Sequence, residues 1–384
     1  MKRVLFVFGT RPEAIKLAPL IFEVQKRSDL EALICVTGQH REMLDQVLTG
    51  FGILPRWDLN LMQPGQDLTG LTARLIQGLA PVIEEAKPDI VLVQGDTSSA
   101  LIGALSAYYG RVPVGHVEAG LRTGDMYSPF PEEGNRKLIG ALADIHFAPT
   151  ELARNNLLAE GIPADRVHVT GNTVVDALLW AENRLANSPV GDPFLQDQLA
   201  AIPPAVRDAT DGRLILVTGH RRESFGPDFE SICTALLQIV EQHKDVQLAY
   251  PVHLNPNVRE PVYRILGGKD RIHLFEPPPY FGFVWLLSRS HVILTDSGGV
   301  QEEAPSLDKP VLVTRRVTER PEGVEAGCAR LVGVDTDTIV STTEALLNDP
   351  AEYERMSSAI NPYGDGTASA KTTDALEEWL ASNG

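Results

Sequence analysis

Apolar positions along this chain follow two alternating rhythms. Val4–Phe8, Ala32–Val36, Ile90–Val93, Val112–Val117 and Ile145–Ala148 are short, nearly continuous apolar runs, the pattern of strands buried on both faces. Between them, Ala14–Val24, Leu68–Ile83 and Ala100–Tyr109 place apolar residues at helical spacing. The alternation predicts a parallel sheet with helices on both faces. From about Asn183 to Gly212 the chain is richer in Pro, Asp, Asn and Ala and has no strand-like run. The same rhythm then restarts with Leu214–Val217, Val246–Tyr250, Ile272–Phe275, Val292–Thr295 and Pro310–Val313. A last amphipathic stretch, Ser369–Ala381, is expected to cross back onto the first set.

The expected fold is therefore α/β: two Rossmann-like domains with parallel sheets and an active site in the inter-domain cleft. The first domain is expected over residues 1–172, joined by a C-terminal helix over 366–384, and the second over 173–365. A length of 384 residues suits two such domains. The net charge of −17, with no Lys/Arg block, argues against nucleic acid and anionic membrane as partners. Cys35, Cys233 and Cys328 are odd in number and show no metal-ligand spacing, so neither a disulfide framework nor a metal site is expected. No apolar run approaches a membrane span, and Val4–Phe8 is too short for a signal peptide, so a cytoplasmic protein is expected.

Positive side chains in so acidic a chain stand out where they gather at strand ends. Phe8-Gly9-Thr10-Arg11-Pro12-Glu13 runs from a strand directly into a helix, with Pro12 suited to its first position. Arg11 and Lys16 lie near that helix N-terminus, where the macrodipole disfavours cations and an anionic ligand would offset the cost. Strand ends are also where open α/β sheets bind ligands, although the G-x-G-x-x-G of dinucleotide folds is absent. Asp96 follows Val91–Gln94 and Glu118 follows Val112–Val117, so both carboxylates are expected at one crevice. Glu132 and Glu133 open the next helix, where an acid ordinarily serves as a cap or dipole partner. Clustered carboxylates tend to have pKa values pushed apart, which suits acid/base work.

The second domain repeats the arrangement. Thr218-Gly219-His220-Arg221-Arg222 ends its first strand, and the two arginines beside His220 suit diphosphate neutralisation. Leu294-Thr295-Asp296-Ser297-Gly298-Gly299 brings a strand to a helix start, where the glycines let backbone N–H groups approach a phosphate. Ser297 is suited to cap that helix or to donate to phosphate, and Glu302 or Glu303 to accept from ribose hydroxyls. Phe283 or Tyr280 is placed to cover a base. Gln39-His40-Arg41-Glu42-Met43 and His253 follow further strands.

Taken together, the motifs resemble those of the bacterial non-hydrolysing UDP-N-acetylglucosamine 2-epimerases. The matching strings are Phe8–Lys16, Val36–Gln46, Gly95-Asp96-Thr97, Gly115–Gly124, Pro131–Arg136, Thr170–Ala177, Thr218–Phe225, Pro251–Pro261, Thr295–Lys309 and Thr318–Glu322, which span nearly the whole chain. Ser98-Ser99 after Thr97 is a minor variation. The resemblance implies a GT-B-like fold, commonly a homodimer, and no redox cofactor. It implies reversible conversion of UDP-N-acetylglucosamine to UDP-N-acetylmannosamine, through elimination of UDP to a 2-acetamidoglucal and re-addition. The family's catalytic residues fall on Asp96, Glu118, Glu132 and His220, with Arg11 and Lys16 as cationic support. Its nucleotide contacts fall on Ser297, Gly298, Gly299 and Glu303, with Phe283 near the base. A neighbouring pocket for UDP-N-acetylglucosamine as an allosteric effector would match Gln39, His40, Gln46, Arg222 and His253. A GT-B glycosyltransferase, a hydrolysing epimerase and a non-catalytic UDP-sugar sensor are the alternative readings.

Overall fold

The computed structural model describes residues 1–38, 41–61, 65, 67–189, 191–208 and 213–383, with Arg41 and Glu42 described by backbone alone. The chain divides into two compact units, Met1–Ala177 with Tyr363–Gly384, and Leu178–Pro362.

The first unit is built on β1 (Lys2–Phe8), β2 (Leu30–Val36), β3 (Trp57–Asp58), β4 (Ile90–Gln94), β5 (Val114–Val117), β6 (Ile145–Ala148) and β7 (Val167–Val169). They form one seven-stranded sheet in the order β3-β2-β1-β4-β5-β6-β7. Every described pairing is parallel; Val4, for example, lies opposite Ala32 on one side and Ile90 on the other. Val4, Leu5, Phe6, Val7 and Phe8 are fully buried, as a central strand covered on both faces requires. Burying each such side chain contributes roughly 1.5–3 kcal/mol. Leu5, Val7, Val91 and Val93 pack with Leu75, Leu79 and Val82 from the helix Leu68–Ala86. The last helix, Ala368–Asn383, belongs to this unit: Arg27 reaches Asp374 at 2.7 Å, and the buried Asp176 accepts from the Ser369 amide at 2.7 Å.

The second unit carries β8 (Arg213–Thr218), β9 (Val246–Pro251), β10 (Ile272–Phe275), β11 (Val292–Thr295), β12 (Val311–Val313) and β13 (Ala329–Leu331). Their order is β10-β9-β8-β11-β12-β13, again with parallel pairings. The Asn183–Gly212 stretch contributes short helices, Pro193–Leu199 and Pro204–Arg207, to this unit. Ten of the strands coincide with the apolar runs, shifted by a residue or two. Three do not: β3, β7 and β13 are two or three residues long and lie at sheet edges, where one half-buried ladder needs no continuous apolar run.

Both sheets reverse their strand order once, after the first strand. The reversal lies at β1/β4 in the first unit and at β8/β11 in the second. At such a switch point the connections leave to opposite sides and open a crevice beyond the carboxyl ends of the strands. The strand-end motifs Gly9–Arg11 and Gly95–Thr97 flank the first crevice, and Gly219–Arg221 and Asp296–Gly299 flank the second.

Candidate functional site

In the first unit, the turn after β1 is tight. A Cβ on Gly9 would stand 2.0 Å from Thr37 Oγ1 and 2.4 Å from Ser99 Oγ, so only glycine passes between β2 and the helix Ser98–Tyr109. The helix Arg11–Gln25 follows, with Pro12 at its second position rather than its first. Glu13, buried in its first turn, accepts from the Gly9 amide at 3.0 Å, the Thr10 amide at 2.7 Å and Thr97 Oγ1 at 2.6 Å. Burial pushes its pKa up against those three donors. One carboxylate thus ties the Arg11 turn to the Asp96 turn.

Asp96 sits two residues beyond β4. Arg136, from the helix Glu132–Leu142, approaches its Oδ2 with Nε at 2.9 Å and Nη2 at 2.7 Å, while Asn135 Nδ2 donates to its main-chain carbonyl at 2.7 Å. Burial raises the Asp96 pKa; Arg136 opposes that, Glu118 adds to it and Lys16 opposes it. Glu118, immediately after β5, has φ of 61°, the left-handed region that costs a non-glycine residue roughly 1–3 kcal/mol. Its Oε1 receives Lys16 Nζ at 2.5 Å and Asn172 Nδ2 at 2.8 Å, and its Oε2 receives Gln94 Nε2. The strained backbone and these donors aim the carboxylate at the crevice beside Asp96.

Lys16 is the sixth residue of its helix, past the turn where the dipole acts, and is ion-paired with Glu118. Arg11, exposed at the helix start, keeps the position expected of it. The neighbouring glutamates divide. Glu133 is fully buried and accepts from the Thr123 amide at 3.1 Å, the Gly124 amide at 3.2 Å and Arg136 Nη1 at 3.1 Å. Glu132 is half-buried and has no polar partner among the described residues. Behind the acids, the fully buried His116 contacts the Gly95 carbonyl through Nε2 at 2.8 Å, and burial pushes its pKa down to about 3.

In the second unit, Thr218 Oγ1 and Thr295 Oγ1, at the ends of β8 and β11, lie 2.6 Å apart. Asp296, 2 % exposed, accepts on Oδ2 from the amides of His220 at 2.7 Å and Arg221 at 2.8 Å. His220 Nδ1 lies 3.2 Å from its Oδ1. Burial acts to raise the Asp296 pKa, but His220 and the two amides outweigh it and hold the carboxyl below its usual range. The helix Gly298–Glu303 begins here with Ser297 at the N-cap; its hydroxyl makes no cap hydrogen bond, so the capping role expected of it is not taken up. A Cβ on Gly298 would stand 3.9 Å from Arg320 Cζ and 4.0 Å from Arg221 Nη2, so two guanidiniums border the bare turn. Glu302 is ion-paired with Arg320, whereas Glu303 Oε2 lies 3.7 Å from the Cβ position of Gly299. That separates the two glutamates: Glu303 borders the turn.

The two aromatics differ in exposure. Tyr280 is buried edge-on to Phe281 with centroids 5.5 Å apart, whereas Phe283, one turn into the helix Tyr280–Arg289, is half-buried with no ring contact among the described residues. His253 stacks on His220 with centroids 5.5 Å apart and planes 20° apart. Arg222 is exposed in a single 3₁₀ turn, Arg222–Ser224, and Gln46 is exposed on the first unit's helix Arg41–Phe51. Gln39 and His40 lie outside the described residues. Among the described residues no cluster of three or more His, Cys, Asp or Glu side chains is placed to hold a metal ion, and no helix is long and apolar enough to cross a membrane.

The structure thus gathers Lys16, Asp96 and Glu118 at one switch point, and His220, Ser297, Gly298, Gly299 and Glu303 at the other. Sequence reasoning missed Gln94, Arg136, Asn172 and Arg320, which hold these groups. Arg136, Asn172 and Arg320 fall inside the strings that carried the family resemblance, and that was their only signal.

A family described as UDP-N-acetylglucosamine 2-epimerase matches residues 22–377 of the chain. The UDP-N-acetylglucosamine 2-epimerase of Salmonella typhimurium is 57% identical over 380 residues, covering 99% of this chain and 100% of that protein. That of Bacillus subtilis is 50% identical over 374 residues, covering 97% and 94%. The crystal structure of UDP-GlcNAc 2-epimerase from Neisseria meningitidis bound to UDP-GlcNAc matches with a TM-score of 0.86 at 48% identity, covering 98% of this chain and 100% of that one.

Proposed function

The chain belongs to the UDP-N-acetylglucosamine 2-epimerase family, and on that premise we propose that it interconverts UDP-N-acetylglucosamine and UDP-N-acetylmannosamine by eliminating UDP and adding it back. The C2 proton of the sugar is not adjacent to a carbonyl and is not acidic in the ground state. Breaking the C1–O bond first sends its electron pair to UDP and gives the ring oxocarbenium character. A carboxylate then takes the C2 proton, leaving a 2-acetamidoglucal. Re-addition with the proton delivered to the other face, and UDP returned to C1, completes the epimerisation.

The observation that carries this reading is the acid pair at the β1/β4 switch point. Asp96, whose pKa burial raises, and Glu118, oriented by Lys16, Asn172 and Gln94, face one crevice in unlike surroundings. Such a split suits one group to hold a proton while the other takes one, worth typically ~10²–10⁴-fold for each acid/base step. Glu132 joins them as the third acid on the helix that also supplies Arg136. The leaving UDP is assigned to the second unit: Arg221 and Arg320 with the open Ser297–Gly299 turn supply cations and N–H groups for the diphosphate, His220 exchanges a proton with the substrate or the departing UDP, Glu303 suits the ribose, and Phe283 the base. A homodimer, cytoplasmic residence and a second UDP-N-acetylglucosamine acting as effector belong to the same proposal.

The test is product analysis by NMR with UDP-N-acetylglucosamine as the sole substrate. Appearance of UDP-N-acetylmannosamine without free sugar is expected. Free N-acetylmannosamine with UDP would make the enzyme hydrolysing, and binding without turnover would make it a sensor.

A further inference from the structure

Asp296 has no role in the chemistry so far, yet it is one of the two most enclosed carboxylates at the second unit's switch point, with Glu302. At 2 % exposure an aspartate needs a full set of partners, because an unpaired buried charge is costly. Two of its contacts are structural: the amides of His220 and Arg221, at 2.7 and 2.8 Å, both donate to Oδ2 and fix the turn after β8. The third differs in kind. Oδ1 is buried with no hydrogen bond of its own and faces His220 Nδ1 at 3.2 Å, within reach of a proton carried there, and the His220 side chain is 42% exposed, so its other nitrogen is the one open to a ligand.

From this geometry we infer that Asp296 is the positioning residue that sets the tautomer of His220. A carboxylate opposite Nδ1 accepts the proton carried there, which leaves Nε2 with its lone pair outward. The ring in that state accepts a proton at Nε2 and returns it, with the carboxylate stabilising the imidazolium in between. His253 holds the other face of the ring: it stacks on His220 and is itself anchored by the Asn255 amide, which donates to its Nδ1 at 3.1 Å. His220 thus has a carboxylate beside Nδ1 and a second imidazole across its face. Asp296 also immediately precedes Ser297, so the residue that orients His220 is continuous with the turn assigned to the diphosphate. This inference rests on the reading above, in which His220 exchanges a proton with the substrate or the departing UDP.

Two measurements decide it. The first uses the resting wild-type protein: ¹⁵N-histidine NMR at about pH 8, with His220 assigned by the signal lost in His220→Gln. The expected result is the Nδ1–H tautomer; an Nε2–H tautomer would overturn the inference whatever the protein's activity. The second is Asp296→Asn, whose amide oxygen can still accept from both backbone amides while its NH₂ faces His220 and forces the proton to Nε2. There kcat should fall by roughly 10²–10⁴-fold with KM and the affinity for UDP within about threefold. An unchanged kcat, or a loss carried in KM and UDP affinity instead, would overturn it. If wild type fails to epimerise UDP-N-acetylglucosamine, the functional reading falls, while the tautomer measurement still decides the role of Asp296.

Discussion

Lys16 Nζ stands 2.5 Å from Glu118 Oε1, in a pair whose side chains are 18% and 7% exposed. The cation comes from the helix after β1 and the anion from the end of β5, so the contact spans the strand between them at the crevice. So enclosed a pair acts as a unit: removing one member leaves the other buried and uncompensated. Lys16→Met should lower kcat by roughly 10²–10³-fold. In a Glu118→Gln background the same change should lower the residual kcat no further. Kinetic losses that multiply would separate the two residues.

Glu132 and Glu133 are adjacent yet should fail in different assays. Burial acts to raise the Glu133 pKa, but the Thr123 and Gly124 amides and Arg136 outweigh it and hold the carboxyl below its usual range. A depressed folded pKa stabilises the protein above the unfolded value near 4.5, and that contribution is lost as pH falls through the lower folded value. Glu133→Gln should therefore lower the melting temperature at neutral pH and flatten the acid limb of stability below about pH 4.5. Glu132→Gln should leave melting unchanged and abolish turnover. The opposite pattern in a thermal melt and a rate assay would reverse the assignment.

Asn172 donates to Glu118 Oε1 through Nδ2 at 2.8 Å, accepts the Val174 amide on Oδ1 at 3.1 Å, and sends its own amide to the Tyr363 carbonyl at 2.7 Å. It fastens the site acid to the place where the chain returns to the first unit. Asn172→Ala should reduce kcat by roughly 10-fold, the size of one lost hydrogen bond to a charged group. Asn172→Asp, which keeps the shape and sets a second carboxylate against Glu118, should be at least about tenfold worse than Ala. Steady-state rates showing Asp better than Ala would contradict this orientation.

Strand ends, the two-sheet plan and the acids at the crevice were legible in the pattern of apolar runs, because a strand covered on both faces must be apolar throughout. The edge strands β3, β7 and β13 were not, since Val-His-Val or Trp-Asp carries no such pattern. The partners were harder still. Arg136 and Asn172 are 40 and 54 residues from the carboxylates they hold, and no local spacing announces a contact made through the sheet order. Lys16 belongs with them: its sequence neighbourhood suggested a ligand anion and gave no sign of Glu118, which the fold brings to it from 102 residues away.

His116 supplies a test on pH. Burial first, with His146 and Arg122 adding, lowers its pKa from 6.5 to about 3 against the pull of the Gly95 carbonyl. The unfolded chain takes up that proton before the folded one, so stability is full above 6.5 and drains as pH falls toward 3. His116→Gln keeps a donor for Gly95 and removes the titration. Its melting temperature should fall less than that of wild type between about pH 7 and pH 4; parallel slopes would mean that His116 does not titrate as described.

The central claim is that C2 loses its proton while UDP is detached. Turnover of UDP-N-acetylglucosamine in deuterated water tests it most directly, read by NMR and mass at C2 of both sugars. One deuterium is expected at C2 of the UDP-N-acetylmannosamine formed, and none in either sugar with Asp96→Asn or Glu118→Gln. Product that retains its original C2 hydrogen in wild type would contradict proton exchange through a glycal.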